Sequence, residues 1–330
     1  MNLGTWGIVL IVAAIATTAS VVGTSLYLNT TTRQKLVVAT TTSLFDTGLL
    51  DEVETQFEAK HNIDVYFISV GSGIAIQFAQ RGDADMILVH SPSDELAFLE
   101  GGYGVDRKII AYSFFEIVGP EADPVGISDS SPTGALSKIA SAGRNSEAFW
   151  VSRGDSSGTH AKEKELWKAA GFNWTEIRDE TDWFRETGSG MGNTLKTANQ
   201  LNGYTLTDIG TFLSYSSAEP SLVPKLVELV TQGSELLNVY SAIPVNATLQ
   251  PKANFEASVT FVKYLLSDEG QHLIGDYGVE DYGKSLFYPA VGLLQNNTDP
   301  TMSAMIRDYA FFEGSECPPQ YRLGHPELYD

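Results

Sequence analysis

Apolar and polar positions along the chain fall into a repeating unit: a short apolar run, a hydroxyl or glycine turn, then an amphipathic stretch. Leu36-Val37-Val38-Ala39 runs into Thr40-Thr41-Thr42-Ser43, and the helix predicted over 47–60 places Leu49, Leu50, Val53 and Phe57 on one face. The run over 65–70 leads into Gly71-Ser72-Gly73 and a helix over 74–80, with Gly82 where a left-handed residue closes a helix. A run over 85–90 and a helix near 94–100 make a third unit. Strands alternating with helices over short loops predict an α/β fold with a doubly wound, mostly parallel sheet.

Phe114-Phe115-Glu116-Ile117-Val118 breaks the rhythm. It is apolar, ends in Gly119-Pro120, and precedes a loop rich in Asp, Pro, Gly and Ser over 121–133. It predicts a crossing from one lobe to a second, and Tyr240-Ser241-Ala242-Ile243-Pro244-Val245-Asn246 predicts the return. An amphipathic helix over 255–274 then rejoins the first lobe. The expected organisation is an N-terminal segment over 1–35, lobe one over 36–116, lobe two over 117–241, a return to lobe one over 242–298, and an extension over 299–330. The extension is polar and Pro-containing, and is expected to lie outside the core. Two crossings between two lobes make a hinge, and 330 residues suffice for both lobes.

Ahead of the first strand, the 23 residues from Trp6 to Leu28 carry no charge, a length that spans a bilayer. The long apolar stretch and the lack of a basic region before it favour a signal anchor over a cleaved signal peptide; no cysteine follows it for lipid attachment. The charge balance narrows the function. With 21 Lys and Arg against 41 Asp and Glu, the formal net charge of −20 argues against nucleic-acid binding. The whole-molecule field repels anions, so any anion capture must be local and short-range. Cys317 is the single cysteine, which excludes an intrachain disulfide and a cysteine metal cluster. His61, His90, His160, His272 and His325 show no paired metal spacing and read as surface or capping residues. No metal and no cofactor are expected.

The chemistry concentrates in Ser152-Arg153-Gly154-Asp155-Ser156-Ser157-Gly158-Thr159-His160, which lies between an apolar run over 148–151 and strong helix formers over 161–170. A strand, a small-residue loop and a helix start make a pocket for an oxyanion. Free N–H groups at the helix start point at the ligand, and the helix dipole favours negative charge. Arg153 adds a planar fork of donors. Three companion turns, Thr40–Ser43, Gly71–Gly73 and Gly188–Asn193, have the same form, and in a parallel α/β sheet such turns meet at the carboxyl ends of the strands. Together they suit a small dianion held by fixed dipoles.

These segments resemble, in order, the tungstate-specific substrate-binding proteins of ABC importers. The matching motifs are Ala39-Thr40-Thr41-Thr42-Ser43, Val70-Gly71-Ser72-Gly73, Arg81-Gly82-Asp83-Ala84-Asp85 with Val89-His90-Ser91-Pro92, Gly102-Tyr103-Gly104-Val105 and Glu116-Ile117-Val118-Gly119-Pro120. They continue through the Arg153 loop, Lys162-Glu163-Lys164-Glu165-Leu166-Trp167, Glu186-Thr187-Gly188-Ser189-Gly190-Met191-Gly192 and Tyr204-Thr205-Leu206-Thr207-Asp208. The similarity spans roughly residues 36–295. It implies a two-lobe type II periplasmic-binding-protein fold. It further implies an extracytoplasmic receptor that hands an oxyanion, tungstate or molybdate, to permease subunits of an ABC importer. The N-terminal segment departs from the family in having no clear cleavable or lipidated leader; the receptor is expected to be monomeric and anchored by that segment.

On that resemblance, Thr41, Thr42, Ser43, Ser72 and Gly73 contact the anion from lobe one. Arg153, Ser157, Gly158 and Thr159 contact it from lobe two, and Gly190 and Tyr204 line the lobe-two wall. The competing roles are N-capping for each hydroxyl, and for Arg153 a salt bridge to Asp155, Glu163 or Glu186. Asp155 reads as structural, since a carboxylate facing a dianion repels it, and His160 reads as a cap. The anion is expected to draw the lobes closed. A receptor for sulfate or phosphate is the same-class rival. A serine hydrolase using Ser157 and His160 is the rival of another class, disfavoured because three residues along the chain hardly place nucleophile and base.

Overall fold

The structure, a computed structural model, describes residues 33–155 and 157–329. The apolar segment read as a membrane anchor lies outside the described residues, as does Ser156. Among the described residues, no helix is long and apolar enough to cross a membrane.

Ten strands carry the fold: β1 (Gln34–Thr41), β2 (Ile63–Val70), β3 (Met86–Val89), β4 (Lys108–Pro120), β5 (Trp150–Ser152), β6 (Phe184–Glu186), β7 (Thr205–Asp208), β8 (Leu226–Val230), β9 (Leu237–Pro244) and β10 (Tyr288–Pro289). Lobe one is the sheet β10-β4-β9-β3-β1-β2. β1 pairs in parallel with β2 and β3, as their βα units dictate. In lobe two, β5 pairs in parallel with β6, and β7 and β8 pair antiparallel with β4.

β4 belongs to both lobes. Lys108–Phe114 pairs with β9, while Phe115–Pro120 pairs with β7 and β8. One 13-residue strand thus carries the chain across the hinge at Phe114–Phe115. β9 runs back against it and against β3, so the sheet is mixed wherever the chain passes between lobes. The run Tyr240–Pro244 lies inside this strand, within lobe one's sheet.

Each lobe has its own core. The helix Leu49–Lys60 buries Leu49, Leu50, Val53 and Phe57, the face its periodicity predicts, against Leu36 and Val38 of β1. Full burial of each such side chain stabilises by about 1.5–3 kcal/mol. Lobe two packs Trp150, Trp167, Trp183 and Phe184 against Leu136 and Ile139.

The C-terminal segment corrects the expectation of an appendage. Its helix, Pro300–Ala310, is capped by Asp299 and buries Ile306 and Ala310 against Ile109, Leu237 and Val239. Farther on, Glu316 pairs with Lys108, its other carboxylate oxygen accepts from Ile109 N at 3.0 Å, and its carbonyl accepts from Arg107 Nη1 at 2.6 Å. Cys317 is fully buried. The helix packs through an apolar face of Met302, Met305, Ile306, Tyr309 and Ala310, and backbone-to-carboxylate bonds fasten the turn that follows it.

Candidate functional site

β1 ends at Thr41, and the chain turns at once into the short helix Thr42–Phe45. Thr41 Oγ1 caps it by accepting from Leu44 N at 3.3 Å. Ser43 Oγ lies 3.4 Å from Thr41 Oγ1 and 3.3 Å from His90 Nε2. β2 ends at Val70, and the helix Ser72–Arg81 starts after Gly71 with no side-chain cap. Its first N–H groups have no partner within the helix, a property of every helix start. Ser72 Oγ is buried with no partner, and so is Thr40 Oγ1. This rim of lobe one offers neutral donors, and the Asp46 carboxylate that ends the Thr42–Phe45 helix feels the Arg153 charge across the cleft.

Lobe two supplies the charge. Arg153 follows β5 and is 2% exposed. Asp155 Oδ2 accepts from Arg153 Nε at 3.1 Å and Nη2 at 2.7 Å, while Asp155 Oδ1 accepts from Ser157 N at 3.1 Å and Ser157 Oγ at 2.5 Å. Arg153 Nη2 also reaches Thr42 Oγ1 across the cleft at 3.4 Å, and Nη1 is buried with no partner. Gly154 has φ +60, and a Cβ there would sit 2.8 Å from Glu186 Cβ, so the loop requires glycine. Ser152 Oγ accepts from Gly154 N at 3.1 Å and donates to Glu163 at 2.7 Å. Thr187 Oγ1 donates to the Arg153 carbonyl at 3.2 Å. The loop is therefore braced from three sides before any anion arrives.

The helix Gly158–Ala169 then begins, with Ser157 Oγ capping it by accepting from His160 N at 3.1 Å. Thr159 Oγ1 is buried and unpartnered. Gly158 meets lobe one directly: a Cβ at this position would lie 2.5 Å from the His90 ring. The two lobes thus touch at Arg153–Thr42 and at Gly158–His90; the unpartnered Arg153 Nη1 and Thr159 Oγ1 belong to residues at or beside these contacts.

Burial sets the protonation here. The His90 imidazole is fully enclosed and held neutral, down at about 3, by desolvation first and then by the Arg153 charge. His160 is lowered to about 4 by burial and then by Lys164, with its Nδ1 against the Asp155 carbonyl. Burial raises the Glu163 carboxyl to about 7, although Trp150 Nε1 donates to it at 2.7 Å. Asp208 at the end of β7 is also raised by burial while Thr211 and Arg153 pull it down.

Most of the residues expected in the site stand on the two rims: Thr41, Thr42, Ser43, Ser72 and Gly73 on one, Arg153, Ser157, Gly158 and Thr159 on the other. Two of the expected readings change. Tyr204 is a core residue: its hydroxyl accepts from Val125 N and contacts Asp123 Oδ1, both at 3.2 Å. It precedes β7, about 13 Å of strand from Asp208 at the cleft end. The Ser157 hydroxyl is committed to its cap and to Asp155, the structural alternative for that side chain. Arg153 pairs with Asp155 rather than Glu163 or Glu186, and keeps Nη1 free. Gly190 caps the helix Met191–Leu201 without a side-chain bond and is exposed.

His90 overturns the surface-or-cap reading for that histidine. It is 3% exposed and packs against Tyr240 and Phe115, with ring centroids 5.0 and 5.9 Å away. The signal was its place: it follows β3, at the same strand end as the anion turns.

A family model described as the PBP superfamily domain matches residues 16–269. A Haloferax volcanii protein named for an ABC transporter anion-binding role is 43% identical, over 78% of this chain and 72% of its own length. The tungstate-binding protein TupA of Peptoclostridium acidaminophilum is 38% identical, over 79% of this chain and 87% of its own length. The chain belongs to the tungstate-binding receptor family of the PBP superfamily. Among solved structures, TupA from Desulfovibrio alaskensis G20 matches with a TM-score of 0.67 at 39% identity, covering 78% of this chain and 98% of that one. Family membership and fold agree with the two-lobe reading and with a role in substrate binding for transport.

Proposed function

We propose that this receptor captures tungstate between its lobes and delivers it, outside the cytoplasm, to the permease of an ABC importer. The observation that carries the reading is the set of buried donors without partners at the lobe contacts: Ser72 Oγ, Thr159 Oγ1 and Arg153 Nη1. Buried polar groups are almost always paired, and each unpaired one costs about 1–3 kcal/mol. A tetrahedral oxyanion has acceptors in four directions and relieves all three. The names of the relatives direct the choice to tungstate, with molybdate as the close alternative. The N-terminal segment would hold the receptor, as a monomer, at the outer face of the membrane.

The hydrolase rival finds little support. Ser157 Oγ already binds Asp155 and the His160 amide, and His160 Nδ1 faces the Asp155 carbonyl rather than a serine hydroxyl. Calorimetric titration with tungstate, molybdate, sulfate and phosphate, beside an ester-hydrolysis assay, tests the proposal. Tungstate is expected to bind tightest, with molybdate next and sulfate far weaker, because the smaller anion leaves donors unmade. Equal binding of sulfate and tungstate, or turnover of ester, would sink it.

A further inference from the structure

The helix Gly158–Ala169 meets lobe-one material along one face. Gly158 and Lys162 lie one turn apart and share that face. Gly158 abuts His90, and the Lys162 ammonium sits 3.9 Å from the centre of the Tyr309 ring, with Glu165 Oε2 at 3.6 Å. Lys162 is 4% exposed, and its charge is felt at His90. Tyr309 belongs to the helix Pro300–Ala310, which Ile306 and Ala310 fasten to β4 and β9. Glu316 and Tyr321 fasten the following turn to Asp106, Arg107, Lys108 and Ile109. The extension is thus part of lobe one, yet its tyrosine reaches a lysine of lobe two. It also lies beyond the family-model match, which ends at residue 269.

Resting on the anion-receptor reading above, we propose that Tyr309 and Lys162 form a clasp that sets how long the cleft holds its anion. Thr159, whose unpartnered hydroxyl faces the ligand in that reading, and Gly158 stand in the first turn of the helix that Tyr309 grips one turn farther on. For the lobes to part, this helix must leave lobe one and the ammonium must leave the ring. A cation over an aromatic face, away from water, resists that separation more than an exposed pair does. Tyr309 and Lys162 are positioning residues: neither touches the anion.

The test uses the full chain and the variants Tyr309→Leu, Tyr309→Phe, Lys162→Met and the double Tyr309→Leu/Lys162→Met, each checked for folding by circular dichroism. Tyr309→Leu and Lys162→Met should release tungstate about three- to tenfold faster, the range a buried cation–ring contact supports. Association rates should stay unchanged. Tyr309→Phe keeps the ring and should release at the wild-type rate, and the double variant should be no faster than the singles. Wild-type release from the folded single variants, or additive losses in the double, overturns the clasp. If wild-type protein binds no tungstate, the functional reading fails by itself. Scattering of the ligand-free proteins then decides the clasp: a larger radius for Tyr309→Leu supports it, and an equal radius rejects it.

Discussion

The two rims of the cleft prepare for an anion in opposite ways. Lobe one presents neutral donors at strand ends, with Ser72 Oγ and Thr40 Oγ1 left unpartnered. Lobe two presents a full positive charge, and surrounds it with a carboxylate, a capped helix and a threonine bridge. The difference follows from what each group costs when the site is empty. An unmade hydroxyl bond costs about 1–3 kcal/mol, whereas a lone buried charge costs far more and needs a partner. Asp155 is that partner, 2.7 Å from the guanidinium. The Arg153–Asp155 pair sums to no net charge. In the proposed function, selectivity rests on where donors point rather than on attraction at a distance, which suits a protein of net charge −20.

The comparison makes unequal demands on mutants. Arg153→Ala removes the guanidinium of the lobe-two rim and leaves Asp155 without its partner. Tungstate affinity should fall at least about tenfold, because a charge-assisted bond contributes roughly 1.5–3 kcal/mol; calorimetry on the folded variant checks this. Near-native affinity would mean that lobe one alone holds the anion.

Ser72→Ala and Thr159→Val come next, one on each rim. Each should weaken tungstate about two- to tenfold, the worth of one hydrogen bond. The same changes should leave the melting temperature of the ligand-free protein unchanged or higher, since each removes a buried group with no partner. A lower melting temperature without ligand would show that the hydroxyl serves the fold instead.

The last effect is on stability rather than on affinity, and it belongs to β4, the strand that both lobes share. Glu116 is 3% exposed, and burial first, then the Glu228 charge, raises its carboxyl from 4.5 to about 8. In the unfolded chain it ionises near 4.5, so the folded form binds more protons between these values. Its contribution to stability is complete below the unfolded value and is lost as pH rises through the folded one. The neutral His90 and His160, both lowered by burial, oppose this trend below pH 6.5; the melting temperature should therefore decline from pH 6.5 to 8.5, and Glu116→Gln should make that decline shallower. Glu163, raised to about 7, pushes in the same direction, so the slope should shrink without vanishing. An unchanged slope in the variant would place the titration elsewhere.

Lobe one was largely legible in the sequence, because its βα units bury whole faces: Leu49, Leu50, Val53 and Phe57 announce their helix by spacing alone. The turns at these strand ends were legible for a related reason, since hydroxyls and glycines cluster there; their contact with an anion belongs to the proposed function. Three features were not. Tyr204 sits beside a site strand, but its direction depends on which end of β7 faces the cleft. His90 looks like any lone histidine until the fold brings Gly158 against it. The helix of the extension carries an apolar period at Met302, Met305, Ile306, Tyr309 and Ala310, but Glu316 fastens the rest through backbone N–H and side-chain charges that leave no pattern in the chain.

Gly158 has one more consequence. The space a Cβ would need there is filled by the His90 ring, 2.5 Å away. That absent carbon is the tolerance between two machine parts. Any larger residue would act as a shim, propping the jaws ajar while leaving each half intact. The outer surfaces would then be unchanged, but His90 or the helix start would have to give way before the jaws could meet.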